Sequence, residues 1–341
     1  MTVSHEDGIP GAEWNDYLTR TPSANFYLRH EWGDVISSVF GHDVVRLVAR
    51  TDGDVVGVLP LIRMKTRLFG HMMVSMPFLN FGGVASDSEE VAHFLLEEAC
   101  RTASAYGCDY MELRSRSPMD KEPTSTHKVN MAVKLPADPE DLWSSFTSKH
   151  RTNIRRALKN EVSTEFGAEE LIPEFYRMME LSWRSLGTPL YSRRFFEKTF
   201  ELLGPHCRIY LARAEGRVIG AAFNGHFRDT VEGIWAAGDP GARDLQANYV
   251  LYWEMLRTAS AEGYARYHLG RSTAGSGAQR FKEKWGAVAE PLYWIYDLAP
   301  GRDLPELRPE NPRYRFAMNI WRRLPLPLLK AVGPHVAHRI P

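Results

Sequence analysis

The segment Gly270–Gly286, GRSTAGSGAQRFKEKWG, places glycines and small residues directly before three cations, Arg280, Lys282 and Lys284. Glycine lets a backbone approach a ligand closely. A helix opening near Ala278 would aim its positive dipole end the same way. Three readings follow. The segment holds a phosphate through Arg271, Ser276, Gly277 and Arg280; it places Lys282 beside a carbonyl on which negative charge develops; or it is a turn before a solvated basic face. On a helix Arg280 and Lys284 share one side and Lys282 lies on another, so the three cations cannot all converge on one phosphate. The run Gly275-x-Gly277-x-x-Arg280 lacks the third glycine of a dinucleotide loop, and no Walker lysine–serine pair follows. The AGSGA run does not match the GxSxG of serine hydrolases.

A second basic cluster is HRTNIRRALK, His150–Lys159. Arg151, Arg155 and Lys159 stand four apart, giving one cationic stripe with Asn153 in the same segment. Such a stripe binds phosphates of tRNA or a lipid pyrophosphate, or it is a solvated face. In PFLNFGG, Asn80 and Gly82 shape a pocket or merely turn a strand. The twelve histidines form no HxxxH pair and the three cysteines no CxxC, so no metal site is expected. Nothing resembles a recognition helix or an RNA-binding aromatic motif.

These residues must be positioned by a sizeable fold. The chain has 341 residues, enough for two ordinary domains. Its 42 basic and 42 acidic side chains cancel, so anion binding has to come from local patches. Sparse cysteines, no apparent leader and no long apolar run lead to the expectation of a cytoplasmic protein, at most at the inner face of a membrane.

The chain also repeats itself. LVARTDGDVVG from Leu47 and YLARAEGRVIG from Tyr210 both read as strand, tight turn, strand. RTASAYG from Arg101 and RTASAEG from Arg257 both close a helix at a glycine suited to a left-handed cap. The two echoes keep their order and nearly their offset, which predicts a tandem duplication of one unit: helices, hairpin, strand, long helix, strand. The expected division is a first domain over 1–137, a basic helical connector over 138–160, a second domain over 161–300 and a basic amphipathic tail over 301–341. Residues 1–40 read as mainly helical. The tail is either a membrane-surface or partner-binding segment or an arm packed back on the body.

A helix–hairpin–strand–helix–strand unit suggests a tandem GNAT acyltransferase fold, α/β with α+β mixed sheets. Five stretches resemble the FemAB/Fem-like aminoacyltransferases: PFLNFGG, HRTNIRRALK, GTPLYSRRFF, AAGDPGARDLQANYVLYWE and GSGAQRFKEKWG. The likeness extends to the branch associated with exosortase (PEP-CTERM) exopolysaccharide loci. The resemblance implies attack by an amine on an activated acyl ester. The donor would be aminoacyl-tRNA or acyl-CoA as co-substrate, with no permanently bound cofactor. The acceptor would be a cell-envelope or exopolysaccharide precursor, as peptidoglycan stems are for some members. It also implies a catalytic role for Lys282, which matches the family's RFK lysine, and a general-base role for Glu232 on the central strand, although an outward-facing Glu232 is the alternative. Tyr191 and Asn248 fall in matching stretches as binding candidates. Where an acyl-CoA enzyme carries its pyrophosphate loop, GARDLQAN is poor in glycine, which favours an aminoacyl-tRNA or other ester donor. A non-catalytic protein that recognises such a precursor at the membrane surface is the rival expectation.

Overall fold

The computed structural model describes residues 1–6, 8–66, 69–304 and 312–341, with the backbone alone over 312–315. In chain order the elements are β1 (Thr2–His5), α1 (Gly11–Arg20), α2 (His30–Phe40), β2 (Asp43–Thr51), β3 (Asp54–Thr66), β4 (Gly70–Val74), β5 (Ala85–Ser86), α3 (Glu89–Ala105), β6 (Tyr110–Ser115) and β7 (Thr124–Lys134). There follow α4 (Pro139–Ser145), α5 (Ser148–Leu158), β8 (Ser163–Gly167), α6 (Ile172–Leu186), α7 (Arg193–Leu203), β9 (Cys207–Ala214), β10 (Arg217–Phe227) and β11 (Thr230–Gly238). The chain ends with α8 (Ala247–Ala261), β12 (Arg266–Thr273), α9 (Gly277–Glu283), β13 (Val288–Leu298), α10 (Pro312–Arg323) and α11 (Leu326–Ala337).

Two compact units result: residues 1–128, 291–306 and 338–341 form one, and 129–290 with 307–337 form the other. In the first unit the strands run β1-β2-β3-β4-β6-β13, with β5 on β3. In the second they run β7-β12-β11-β10-β9-β8. The two lists correspond strand by strand, with one exchange. The strand after β6 in sequence completes the second unit, and the strand after β12 completes the first. The units therefore cut the chain elsewhere than at 137 and 161. Residues 138–160 are not a separate connector either, because α4 and α5 pack on α8 within the second unit.

The repeat is visible in its bonds. Asp52–Gly53 and Glu215–Gly216 all have positive φ, the type I′ geometry that matches strand twist and favours glycine second. Arg50 pairs with Glu6 and Glu13; its counterpart Arg213 pairs with Glu165 and Glu174. Each arginine thus ties β2 or β9 to the chain leading into the hairpin. The helices α3 and α8 end alike, at Gly107 and Gly263 in the left-handed region. Cys108 N donates to Ala103 O at 2.9 Å and Tyr264 N to Ala259 O at 3.0 Å, closing the same cap. One segment departs from the expected helical lead: Thr2–His5 pairs antiparallel with β2.

In the second unit, strand alternation sorts side chains to two faces. Tyr210, Ala212 and Ala214 of β9 and Ala222 of β10 join Leu251, Met255 and Ala259 of α8 in one core. On the other face, Phe223 of β10 meets Phe175 of α6 and Phe196 and Phe200 of α7, with Trp235 of β11 beside it. The sheet is covered on both sides, which fixes the ends of β11 and β12 where chemistry can be placed.

Candidate active site

The parallel strands β11 and β12, linked through α8, are hydrogen-bonded over three residue pairs only: Thr230–Arg266, Val231–Tyr267 and Glu232–His268. Beyond that point β11 runs on to Gly238 and β12 to Thr273 without pairing each other. At the same place β11 bulges: Phe223 faces Trp235 and Asn224 faces Gly233, leaving Ile234 as the extra residue. Strands that part offer backbone N–H and C=O groups to a third chain-like ligand, and a bulge re-aims them. A Cβ at Gly233 would lie 2.9 Å from the His268 carbonyl oxygen, so glycine is what allows the close approach at the fork.

Glu232 stands at the last paired position. Its carboxylate is 2.8 Å from His268 Nδ1, and both side chains are buried. Two residues farther along β12, Lys282 Nζ donates to Gly270 O at 2.9 Å and to Arg271 O at 3.1 Å. An ammonium has three donors, so a further N–H remains for a ligand. Lys282 is only 9% exposed, and burial, helped by the charge of Arg271, brings its ammonium down to about 8. A buried carboxylate–imidazole pair thus stands at the last paired position of the fork, and a buried ammonium sits on the carbonyls two and three residues farther along β12.

The loop that precedes Lys282 uses its own donors. Gly275 N donates to Gln279 Oε1, Gln279 N to Ser276 Oγ, and Arg280 Nη1 to Gly275 O at 2.7 Å. Ser276 and Gly277 therefore open α9 as a capped turn, and Arg280 folds back on it in solvent. The structure lends this loop the character of a carrier for Lys282 rather than a cradle for phosphate.

The basic stripe is also engaged. Arg151 Nη1 donates to Ser144 O and Phe146 O, capping the end of α4. The Arg155 guanidinium lies 5.2 Å from the Trp143 ring centroid. Asn153 Nδ2 reaches Tyr249 Oη of α8 at 3.4 Å. These three contacts brace α5 on its neighbours, so the stripe does structural service whatever else it binds. Asn248 is exposed in the first turn of α8, beside the end of β11: a Cβ at Gly238 would come within 3.1 Å of its Oδ1. Tyr191 packs on Phe195 with ring centroids 5.1 Å apart, and Phe195 on Trp235 at 5.7 Å, which ties it to β11 through a chain of rings. Asn80 and Gly82 belong to the first unit. There Asn80 Nδ2 donates to Tyr27 Oη at 2.8 Å, and Gly82 N to Arg114 O at 3.0 Å. Both of these contacts lie within that unit.

Two histidines of the second unit escaped the sequence reading. His268 is invisible as a partner of Glu232 without the strand register. His150, inside the basic stripe, is buried among Phe146, Tyr249 and Trp285, its ring 4.4 Å from that of Trp285. Burial, with a contribution from Lys284, lowers His150 to about 4; burial also lowers His226 to about 4, with Arg208 and His206 adding. An unfolded histidine titrates near ~6.5. Between that value and about 4 the unfolded chain binds more protons. Stability is therefore full above pH ~6.5 and falls as pH drops, by about 1.4 kcal/mol per pH unit from His150 alone. Urea midpoints measured at pH 7 and pH 5 should show this, and His150→Phe should flatten the slope. An unchanged slope in that variant would contradict the assignment.

Residues 145–283 match the acetyltransferase (GNAT) domain family. No curated protein matches the chain significantly. Among solved structures, FemX superposes with a TM-score of 0.69 at 16% identity, covering 86% of this chain and 97% of its own. L-PGS from Bacillus licheniformis gives 0.56 at 14% identity, covering 94% and 99%. A tandem GNAT protein from the clavulanic acid biosynthesis pathway gives 0.52 at 13% identity, covering 89% and 100%. At these identities the likeness is one of fold: mixed α/β, with a GNAT domain in the second unit.

Proposed function

We propose that this acyltransferase, with its GNAT domain at residues 145–283, moves an acyl or aminoacyl group from an activated ester to an amine on a cell-envelope or exopolysaccharide precursor. The observation that carries the reading is the fork between β11 and β12, with Glu232 at its last paired position and Lys282 on the β12 carbonyls of Gly270 and Arg271 beyond it. The acyl arm of the donor enters where the strands part. The acceptor amine attacks the carbonyl carbon, and the oxygen takes up negative charge that the Lys282 ammonium stabilises. Glu232, held by His268, accepts the proton that the amine sheds. The tetrahedral centre then collapses, expelling the thiolate of an acyl-CoA or the ribose oxygen of an aminoacyl-tRNA. No enzyme-bound acyl group is needed. Asn248, beside Gly238, and Tyr191, joined to Trp235 through Phe195, are the binding candidates on the β11 side.

The turn before α8 is a 3-10 segment, Pro240–Leu245, followed by Gln246 in the left-handed region. Its scarcity of glycine supports an aminoacyl ester over acyl-CoA, since a pyrophosphate needs close backbone approach. The Fem-like resemblance of the sequence points the same way. Calorimetric titration with a hydrolysis-resistant aminoacyl-tRNA mimic and, separately, with acetyl-CoA tests this. The mimic should bind at least about tenfold more tightly, a difference of roughly 1.4 kcal/mol. Tighter binding of acetyl-CoA would reassign the donor, and binding of neither would remove the transferase reading.

A further inference from the structure

The two helices at the C-terminal end of the chain carry an inference that the transfer chemistry does not use. Residues 312–337 contain Arg313, Arg315, Arg322, Arg323 and Lys330 and no Asp or Glu, within a chain of zero net charge. Both helices pack one side on the end of α6 and the loop after it. A Cβ at Gly187 would meet the Met318 carbonyl oxygen at 2.7 Å, Arg322 Nη2 donates to Leu186 O at 3.2 Å, and Gly333 lies against Leu190 and Trp321. Lys330 reaches Glu180 at 2.8 Å, and Leu329 and Ala337 are buried. The expected arm packed on the body is therefore present over 312–337; residues 305–311 lie outside the described residues.

The opposite side is unusual. Phe316 is 68% exposed and Ile320 46%, one turn apart on α10; Leu328 is 45% and Val332 38% exposed, one turn apart on α11. Leu186, at the end of α6 beside Arg322, is 53% exposed. Apolar rows flanked by cations have one chemistry that satisfies both parts, an anionic lipid interface. Nucleic-acid phosphates would neutralise the arginines but leave the apolar rows in water. Among the described residues no helix is long and apolar enough to cross a membrane, so this element would lie on the surface rather than span it.

We propose that the outward face of α10 and α11 seats the protein on an anionic lipid surface, with Phe316, Ile320, Leu328 and Val332 entering the interface and Arg323, at the exposed end of α10, meeting the headgroups. The inference stands apart from the transfer reading, because it concerns binding without donor or acceptor.

The test is co-sedimentation of the full chain, without donor, with phosphatidylcholine vesicles and with vesicles containing roughly one third phosphatidylglycerol at about 0.1 M salt. Anionic vesicles should bind at least about tenfold more tightly than neutral ones. Phe316→Ser with Ile320→Ser should weaken that binding by about tenfold or more, as expected for two apolar side chains kept out of the interface. Arg323→Glu, at an exposed helix end, should weaken it roughly 10–30-fold. All these positions are exposed, and an unchanged melting temperature confirms an intact fold. Failure of the parent chain to sediment with anionic vesicles overturns the proposal, as does parent-like binding by the Phe316→Ser, Ile320→Ser variant. If bulk tRNA binds instead, and Arg323→Glu abolishes that binding, the face belongs to nucleic acid and the proposal is wrong.

Discussion

Lys282→Met is expected to lower turnover by about 10²–10³-fold, the usual cost of losing one fixed donor to a developing oxyanion, while the protein melts within a few degrees of its normal temperature. The stability half of this expectation decides the matter, because a buried lysine invites a purely structural explanation. Burial brings Lys282 to about 8 in the folded state, against ~10.4 in an unfolded chain. Between these values the unfolded chain holds more protons, so this group makes the fold more stable as pH rises through that window. At neutral pH the buried ammonium costs about 3 kcal/mol relative to an ordinary lysine. Methionine removes that cost but strips the donor from two carbonyls, Gly270 O and Arg271 O, each worth about 1–3 kcal/mol if left unsatisfied and buried. The two effects are of similar size and opposite sign. A structural lysine would show its loss in the melt; a lysine kept for chemistry shows it in turnover.

The pH profile separates the two further. If the charged form is the working one, the rate of the parent enzyme falls as pH rises through about 8, where Lys282 loses its proton. In Lys282→Arg the residual activity should not show that fall, because a guanidinium stays charged across the range. Normal turnover in Lys282→Met, or the same alkaline fall in Lys282→Arg, would end the assignment.

How far this site could be read in advance depended on whether its signals were local. The hairpin turns at Asp52–Gly53 and Glu215–Gly216 and the caps at Gly107 and Gly263 are set by a few adjacent residues, and the repeat built on them was legible. The exchange of β7 and β13 was not. A strand followed by a loop looks the same whether it returns to its own sheet or completes the other one, so the unit boundaries stayed hidden. Arg151 and Arg155 show a related failure. Helical spacing makes them one cationic stripe, but only tertiary structure reveals the carbonyls at the end of α4 and the Trp143 ring that engage them. Lys282 has a like charge two residues away on either side, Arg280 and Lys284, and nothing in the run RFKEK says which cation turns inward. That is decided by the seven-residue length of α9 and by the two carbonyls it meets on β12. His268 needed register as well: it lies opposite Glu232 because β11 and β12 are parallel and aligned there, a relation between residues 36 apart.

That pairing sets the second large effect. Glu232→Gln keeps the size of the side chain and its ability to accept from His268, but removes the charge that takes up a proton. Turnover is expected to fall by about 10²–10⁴-fold, the range for losing a positioned base. His268→Asn should produce part of the same loss. If the imidazole acts through the carboxylate, the double variant should be no slower than Glu232→Gln alone, since residues that work as a unit are not additive. The alternative is that the pair only fills the fork between two strands. Under that alternative the substitutions would lower the melting temperature and affect all acceptors equally. The choice of acceptor distinguishes the cases. A strongly basic amine arrives as an ammonium and must lose a proton before or during attack, whereas hydroxylamine is already neutral at pH 7 and asks less of a base. The deficit of Glu232→Gln should therefore shrink by an order of magnitude or more with hydroxylamine. A deficit of the same size with both acceptors would mean that Glu232 holds the strands together and that the proton leaves by another route.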